Sequence, residues 1–336
     1  ALRLDESVET RSAIVQSAGV TLPTRAAGPS GDTRAAFSPD GGTVVRADSS
    51  GTVTVWRGPI GEVEPLSFES GGGQLFSLAL AELKGRLVAF VGGQQTGSVW
   101  DVTAAPKLIG EFGSDTVVYS SAWTGSILVF GTLEGEIRRV DLTSLDSPRQ
   151  LDPISIGSDK LVQSLIAADD WILAGGPTDG ALLFTADGRL SARLPLPSRL
   201  LSASVSPDGT EVFGGLARGG GVVWGVEHER EGTPTLTQRA MIDLPRNVYA
   251  VVHDGDRLYA GGTFGEAIEL SREGEQLQRW PERSAIVSLA VTDHELITGS
   301  TEGITNVWQL HTPGVVVALP QPGQVANRKV RLTNPV

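Results

Sequence analysis

Four histidines are the chain's first candidates for metal or proton chemistry: His228, His253, His294 and His311. No two stand at a spacing that would bring both onto one metal, such as i and i+4 of a helix. They fall in or beside expected hairpins, and turn or surface positions account for them. Three acidic groups, Asp169-Asp170, Asp254-Gly255-Asp256 and Asp293-His294-Glu295, could act as general acids or bind calcium. Each occupies a hairpin position, where Asp side chains serve the backbone. The calcium-loop pattern ending in Glu is missing. The chain has no cysteine, which removes disulfides and thiolate chemistry. No G-x-S-x-G elbow offers a serine nucleophile. Gly71-Gly72-Gly73 and Gly219-Gly220-Gly221 lack the strand-to-helix setting of a phosphate loop. The expectation is therefore no catalytic residue, no cofactor and no metal.

What recurs is a stretch with a structural meaning. Asp48-Ser49-Ser50-Gly51-Thr52-Val53-Thr54-Val55-Trp56 is a polar turn, a glycine, then alternating apolar residues ending in Trp. It returns as Ser300-Thr301-Glu302-Gly303-Ile304-Thr305-Asn306-Val307-Trp308. Weaker copies carry turn glycines at Gly97, Gly135, Gly180, Gly219 and Gly265, for a mean spacing of 42 residues. A period near 42 built of short strands is that of a propeller, with one four-stranded sheet per repeat. The expected fold is all-β, a seven-bladed β-propeller of four-stranded antiparallel blades preceded by a short N-terminal helix.

Residues 1–20 are expected as a linker containing a helix over 5–18, with Asp5 and Glu6 in its first turn, where the helix dipole favours acids. The propeller is expected over 21–319 and a tail over 320–336. The repeats fall at 33–56, 75–102, 117–142, 161–185, 200–226, 248–270 and 286–310. Ser38-Pro39-Asp40-Gly41 and Ser206-Pro207-Asp208-Gly209 mark the first hairpins of blades 1 and 5. The pairs Gly92-Gly93, Gly175-Gly176, Gly214-Gly215 and Gly261-Gly262 should lie where neighbouring sheets crowd together. Either residues 22–27 or residues 314–319 could complete blade 7. The N-terminal strand is favoured, because joining both chain ends in one sheet locks a ring.

These residues resemble the WD-repeat family of β-propellers, through the two Ser-Pro-Asp-Gly hairpins, Trp56, Trp100, Trp224 and Trp308, and the pair Trp100-Asp101. No Gly-His dipeptide precedes a blade, so that family's His, Ser/Thr, Asp and Trp network should not form intact, leaving packing to set blade geometry. Ala1 to Ala13 resembles the helix preceding the propeller in bacterial STAND-type signalling NTPases. That resemblance implies a sensor domain of a larger cytoplasmic protein, with its nucleotide domain upstream. Starting at Ala1, the chain is expected to be cut from a longer protein. No P-loop motif occurs in it.

The chain carries 27 basic and 39 acidic residues, net -12, with lysines only at 84, 107, 160 and 329. A nucleic-acid surface needs clustered cations to displace counterions, so no nucleic-acid partner is expected. No apolar run is long enough to span a membrane. Partners are expected to be proteins, including upstream domains of the same polypeptide. On the face formed by the loop before each inner strand and the turn between second and third strands, Arg199, Arg218, Arg246, Phe264, Trp280 and Arg283 gather on blades 5 to 7. Asp115, Glu134, Asp159 and Asp179 gather on blades 3 and 4. Arg and aromatic residues are enriched among interface anchors. The expected function is a non-catalytic protein-interaction module. The alternatives are a free-standing scaffold subunit and a propeller enzyme working in the central channel. The enzyme is disfavoured because inner strands such as Ser77-Leu78-Ala79 and Ser202-Ala203-Ser204 are small and neutral.

Overall fold

A computed structural model describes residues 23–157, 161–168, 170–176, 180–228 and 234–310. The expected helix over 5–18, the tail over 320–336 and the run 314–319 lie outside the described residues. No helix appears among those described; all regular structure is strand.

Seven four-stranded antiparallel sheets form, six of them from four strands running outward in chain order. Blade 1 consists of Thr33–Phe37, Val44–Asp48, Thr52–Trp56 and Leu66–Glu69. Blades 2 to 6 follow over 75–112, 118–155, 164–194, 200–242 and 248–281. Blade 7 takes Ile286–Val291, Glu295–Ser300 and Ile304–Gln309, and its outer strand is Thr24–Ala27. Thr24 pairs with Val307 and Ala27 with Ile304. The N-terminal strand thus completes the last blade.

Each sheet has two faces to bury, and only its neighbours can cover them. Seven apolar clusters result, one for each blade-to-blade interface. Val45, Ala47, Val53 and Val55 of blade 1 meet Leu75, Ala89, Val91 and Val102 of blade 2. Trp171, Leu173 and Leu183 of blade 4 meet Leu200, Val212 and Trp224 of blade 5. The seventh cluster joins Ile297 and Val307 of blade 7 to Ala35, Val44 and Trp56 of blade 1, which closes the circle. In the slot occupied elsewhere by Trp, blade 6 buries Leu270. Blade 4 buries Phe184 next to that position.

Glycine sits where blades approach most closely. A Cβ on Gly261 would lie 2.7 Å from Ile286, the first residue of blade 7's inner strand. Gly92, Gly131 and Gly215 face Val118, Val162 and Val248 in the same way. Inner-strand serines clasp the same junctions. Ser120 Oγ donates to the Val162 carbonyl at 2.8 Å, and Ser202 Oγ to the Val248 carbonyl at 3.0 Å. Ser288 does both jobs at the closing junction, donating to the Thr33 carbonyl at 3.2 Å and accepting from the Ala35 amide at 3.1 Å. Ser202→Ala is expected to cost about 1 kcal/mol, the usual net value of such a bond. Ser288→Ala should cost more in urea unfolding, because two buried backbone groups lose a partner; equal stability of the variant and the parent would contradict the clasp.

The two Ser-Pro-Asp-Gly hairpins form as expected. Ser206 Oγ donates to Asp208 at 2.6 Å, while the Thr210 amide reaches the same carboxylate at 3.0 Å. These bonds, the Ser206 hydroxyl first, pull the Asp208 carboxyl down to about 2.

Two expectations need correction. The first is that packing sets the blade geometry, since blade 7 holds a hydrogen-bonded network of its own. Trp308 Nε1–H donates to Thr298 Oγ1 at 3.3 Å, the Thr298 hydroxyl donates to Glu282, and Asn306 Nδ2 bridges both Glu282 oxygens at 2.9 and 2.8 Å. Glu282 stands in the segment before the inner strand. Packing alone therefore does not set this blade. The second correction is His253, which is buried rather than a surface or turn residue.

His253 belongs to an ionic knot between blades 5 and 6. Glu211 opens the second strand of blade 5, Glu211–Leu216, and its side chain is only 7% exposed. Its carboxylate accepts from Arg272 at 2.7 Å, Arg239 at 2.8 Å and His253 Nε2 at 3.1 Å. The Gly255 amide donates to His253 Nδ1 at 3.1 Å, which leaves the ring proton at Nε2, pointing to Glu211. Burial works to raise the Glu211 carboxyl pKa, but the Arg272, His253 and Arg239 bonds outweigh it and hold the group below the usual carboxylate range.

Candidate functional site

The face made by the loops before the inner strands is built by two regular devices. The first is the turn between second and third strands, which sets its apex residues outward. The second is a β-bulge at the start of the inner strand. Pairing with the second strand skips one residue between Leu75 and Ser77, Val118 and Ser120, Leu200 and Ser202, Val248 and Ala250, and Ile286 and Ser288. A bulge re-aims a side chain out of the sheet's alternation. The skipped residues are Phe76, Tyr119, Leu201, Tyr249 and Val287. With Arg34 and Gln163 of blades 1 and 4, they line a cavity of about 320 Å³ at this mouth of the channel.

The sequence-expected contact residues distribute unevenly. Arg199, Arg246 and Arg283 precede the inner strands of blades 5, 6 and 7, and all three are exposed. Among the described residues their guanidinium groups make no ion pair. Arg218, at the blade 5 turn apex, is exposed, and Phe264, at the blade 6 apex, is half-buried. Trp280 is not on this face. It lies in the outer strand Gln276–Pro281, is 4% exposed, and packs 6.3 Å from the Tyr259 ring inside the blade 6–7 cluster. Its side of the strand faces the next blade, a fact no apex count could supply.

The acidic arc is largely engaged. Asp115 is held bidentately by Arg138, at 2.6 and 2.9 Å. Those bonds keep its carboxyl below the usual range. Glu134 accepts from the Thr116 hydroxyl. Asp159 and Asp179 lie outside the described residues. Among the described residues, Arg199, Arg246 and Arg283 stay without an ion pair on this face, and so does the exposed Glu302 at the blade 7 apex.

The ring of bulge residues was missed from sequence. Its signal was present: each of these residues stands one place before the small inner-strand residue, as in Phe76-Ser77, Tyr119-Ser120 and Tyr249-Ala250. Reading the inner strands from the small residue onward left it out.

The opposite mouth holds a wider cavity of about 760 Å³, lined by Asp40, Asp254, Asp293, His294 and Glu295 with no Lys or Arg. Asp40 accepts from Ser38 and Gly42, and Asp254 from the Arg257 amide at 2.7 Å. These acids serve their own hairpins. Among the described residues no group of three or more His, Asp or Glu side chains is placed to hold a metal. No helix there is long and apolar enough to cross a membrane.

No family model matches the chain, and no curated protein matches it either. Solved structures do. The chain resembles the β-propeller domain of Cps50 (Swd1) from Myceliophteria thermophila, with a TM-score of 0.72 at 14% identity, over 86% of this chain and 99% of that one. At that identity the likeness is one of fold, a seven-bladed β-propeller. Some 1642 solved chains match in this way, so the fold by itself selects no partner.

Proposed function

We propose that this chain is a non-catalytic protein-interaction module that docks a partner on the face carrying Arg199, Arg218, Arg246, Phe264 and Arg283. The observation behind this reading is an arc of exposed arginines, three of them without an ion pair, beside a channel mouth lined by aromatic rings. Arginine recognises carboxylates bidentately and is a favoured anchor in interfaces. The inner strands are mostly small and neutral, and among the described residues no cluster of His, Asp or Glu forms on them, which weighs against the enzyme reading.

The resemblance of residues 1–13 supports a finer version, in which the ring is the cytoplasmic sensor of a larger signalling NTPase. Such a sensor would touch its partner differently in two states of the whole protein, because only differential binding shifts an equilibrium. Extending the gene upstream tests it: a P-loop domain supports the sensor, and a start codon just before Ala1 leaves a free-standing scaffold.

The contact face has its own test. In the triple variant Arg199→Ala, Arg246→Ala, Arg283→Ala, affinity for a captured protein partner should fall at least about tenfold, given roughly 1 kcal/mol per arginine of this kind. The melting temperature should stay near that of the parent, since none of the three is buried. Unchanged affinity would reject the face.

A further inference from the structure

The channel mouth contains polar atoms that find no partner among the described residues. Arg34 is fixed at one end by Nε, which donates to the Phe76 carbonyl of the next blade at 3.0 Å. Nη2 has only a long contact of 3.5 Å to Asp32, whose side chain is 31% exposed. Nη1 is buried with no hydrogen-bond partner, and so is Gln163 Oε1 on the other side of the same cavity. Burial pushes the Arg34 guanidinium pKa down, against the opposing pull of Asp32. Beside it, Phe76 and Tyr119 stack with centroids 4.9 Å apart and planes within 16°, and Tyr249 lines the same space. A partly desolvated cation with a free donor gains most from an anion that can reach it, and an unpaired buried donor is costly until one does.

We infer that this mouth receives an acidic side chain, a Glu or Asp carboxylate, from a peptide segment of the protein partner. The deduction rests on the reading of this face as the contact surface and gives that partner its chemistry. The carboxylate takes Arg34, displacing the long Asp32 contact. The aliphatic part of the side chain lies against the Phe76–Tyr119 stack, and a peptide N–H satisfies Gln163 Oε1. The cavity of about 320 Å³ accommodates a side chain rather than a folded element. The surrounding arginines at 199, 246 and 283 draw in the rest of an acidic segment.

A fluorescein-labelled hexaglutamate peptide, with hexaglutamine as control, serves as the probe, read by fluorescence anisotropy at low ionic strength. Hexaglutamate should bind and hexaglutamine should not. Arg34→Gln should weaken binding at least about tenfold, and Arg34→Lys by less, since the charge survives without the fork. Asp32→Asn should tighten binding several-fold by removing the competing carboxylate, a gain that misfolding cannot mimic. Equal binding of the two peptides would overturn the inference, leaving the contact face to be judged by the captured partner. So would hexaglutamate binding that the triple arginine variant weakens while Arg34→Gln and Asp32→Asn leave it unchanged, although the face itself would then stand. Tighter binding of a single-stranded oligonucleotide of equal charge would overturn the peptide assignment.

Discussion

Glu211→Ala is expected to lower stability by about 3 kcal/mol, near the lower end of the loss when one partner of a buried ion pair is removed. At roughly 2–4 °C per kcal/mol this is a fall of about 6–12 °C in melting temperature, read by circular dichroism. The size follows from what is left behind. Arg239 and Arg272 are 49% and 47% exposed and return to water when the carboxylate goes. His253 is 1% exposed at its side chain and cannot, so its Nε2–H is stranded in the blade 5–6 interface. Arg239→Ala and Arg272→Ala should each cost less than about 1 kcal/mol, because a half-exposed arm contributes little. Glu211→Gln should fall between, keeping an acceptor for His253 without its charge. The pH dependence carries the same signature. A carboxyl held below its unfolded value contributes stability that is present above that unfolded value and is lost as pH falls through the folded one. The parent should therefore lose stability on acidification below about pH 4.3, the ordinary Glu value, and Glu211→Gln should lack that part of the loss. If Glu211→Ala were no worse than Arg272→Ala, the knot would contribute nothing to the junction.

The arrangement explains which parts of the molecule could be read from residue order. Blade number and strand order follow from a repeated need: every sheet must cover two faces, so alternation and turn glycines recur at each turn of the ring. Ring closure by Thr24–Ala27 was legible because a short strand stood before the first full repeat, with no inner-strand partner of its own. Contacts between residues far apart in sequence left no such pattern. Glu211 and Arg272 meet from different blades, and Glu282 reaches Asn306 from the segment before blade 7. The contact face shows the same division. Loop arginines could be placed by counting from the turns, and Arg199, Arg246 and Arg283 are exposed. Trp280 could not, because its fate depends on which side of an outer strand faces blade 7. The bulge residues at the channel mouth break the period-two rule itself. A reading built on alternation assigns them to the wrong face.

Closure is also where a single methyl group should do most harm. Gly303 is the turn glycine of blade 7, at φ +75°. Its carbonyl accepts from the Gly28 amide at 2.9 Å and from Arg46 Nη2 at 3.2 Å. A Cβ there would stand 1.9 Å from the Pro29 carbonyl oxygen and 3.0 Å from that of Gly28. Both are backbone atoms of the link between the closing strand and blade 1, so no side chain can swing aside. Gly85 has nearly the same φ, +72°, with nothing within 4 Å of its Cβ position. Gly85→Ala should therefore show only the cost of a left-handed alanine, about 1–2 kcal/mol. Gly303→Ala adds the displacement of the link and should cost at least about twice as much. Hydrogen exchange locates the damage: protection should fall first at 24–27 and 304–307, where the chain ends meet, while the junction of blades 4 and 5 keeps its protection. That seam is the expected weak point, because Thr24–Ala27 and Ile304–Gln309 close blade 7 by strand pairing and not by a hairpin loop. Equal effects of the two substitutions, or uniform loss of protection in all blades, would show that Pro29 yields freely and that closure does not depend on this turn.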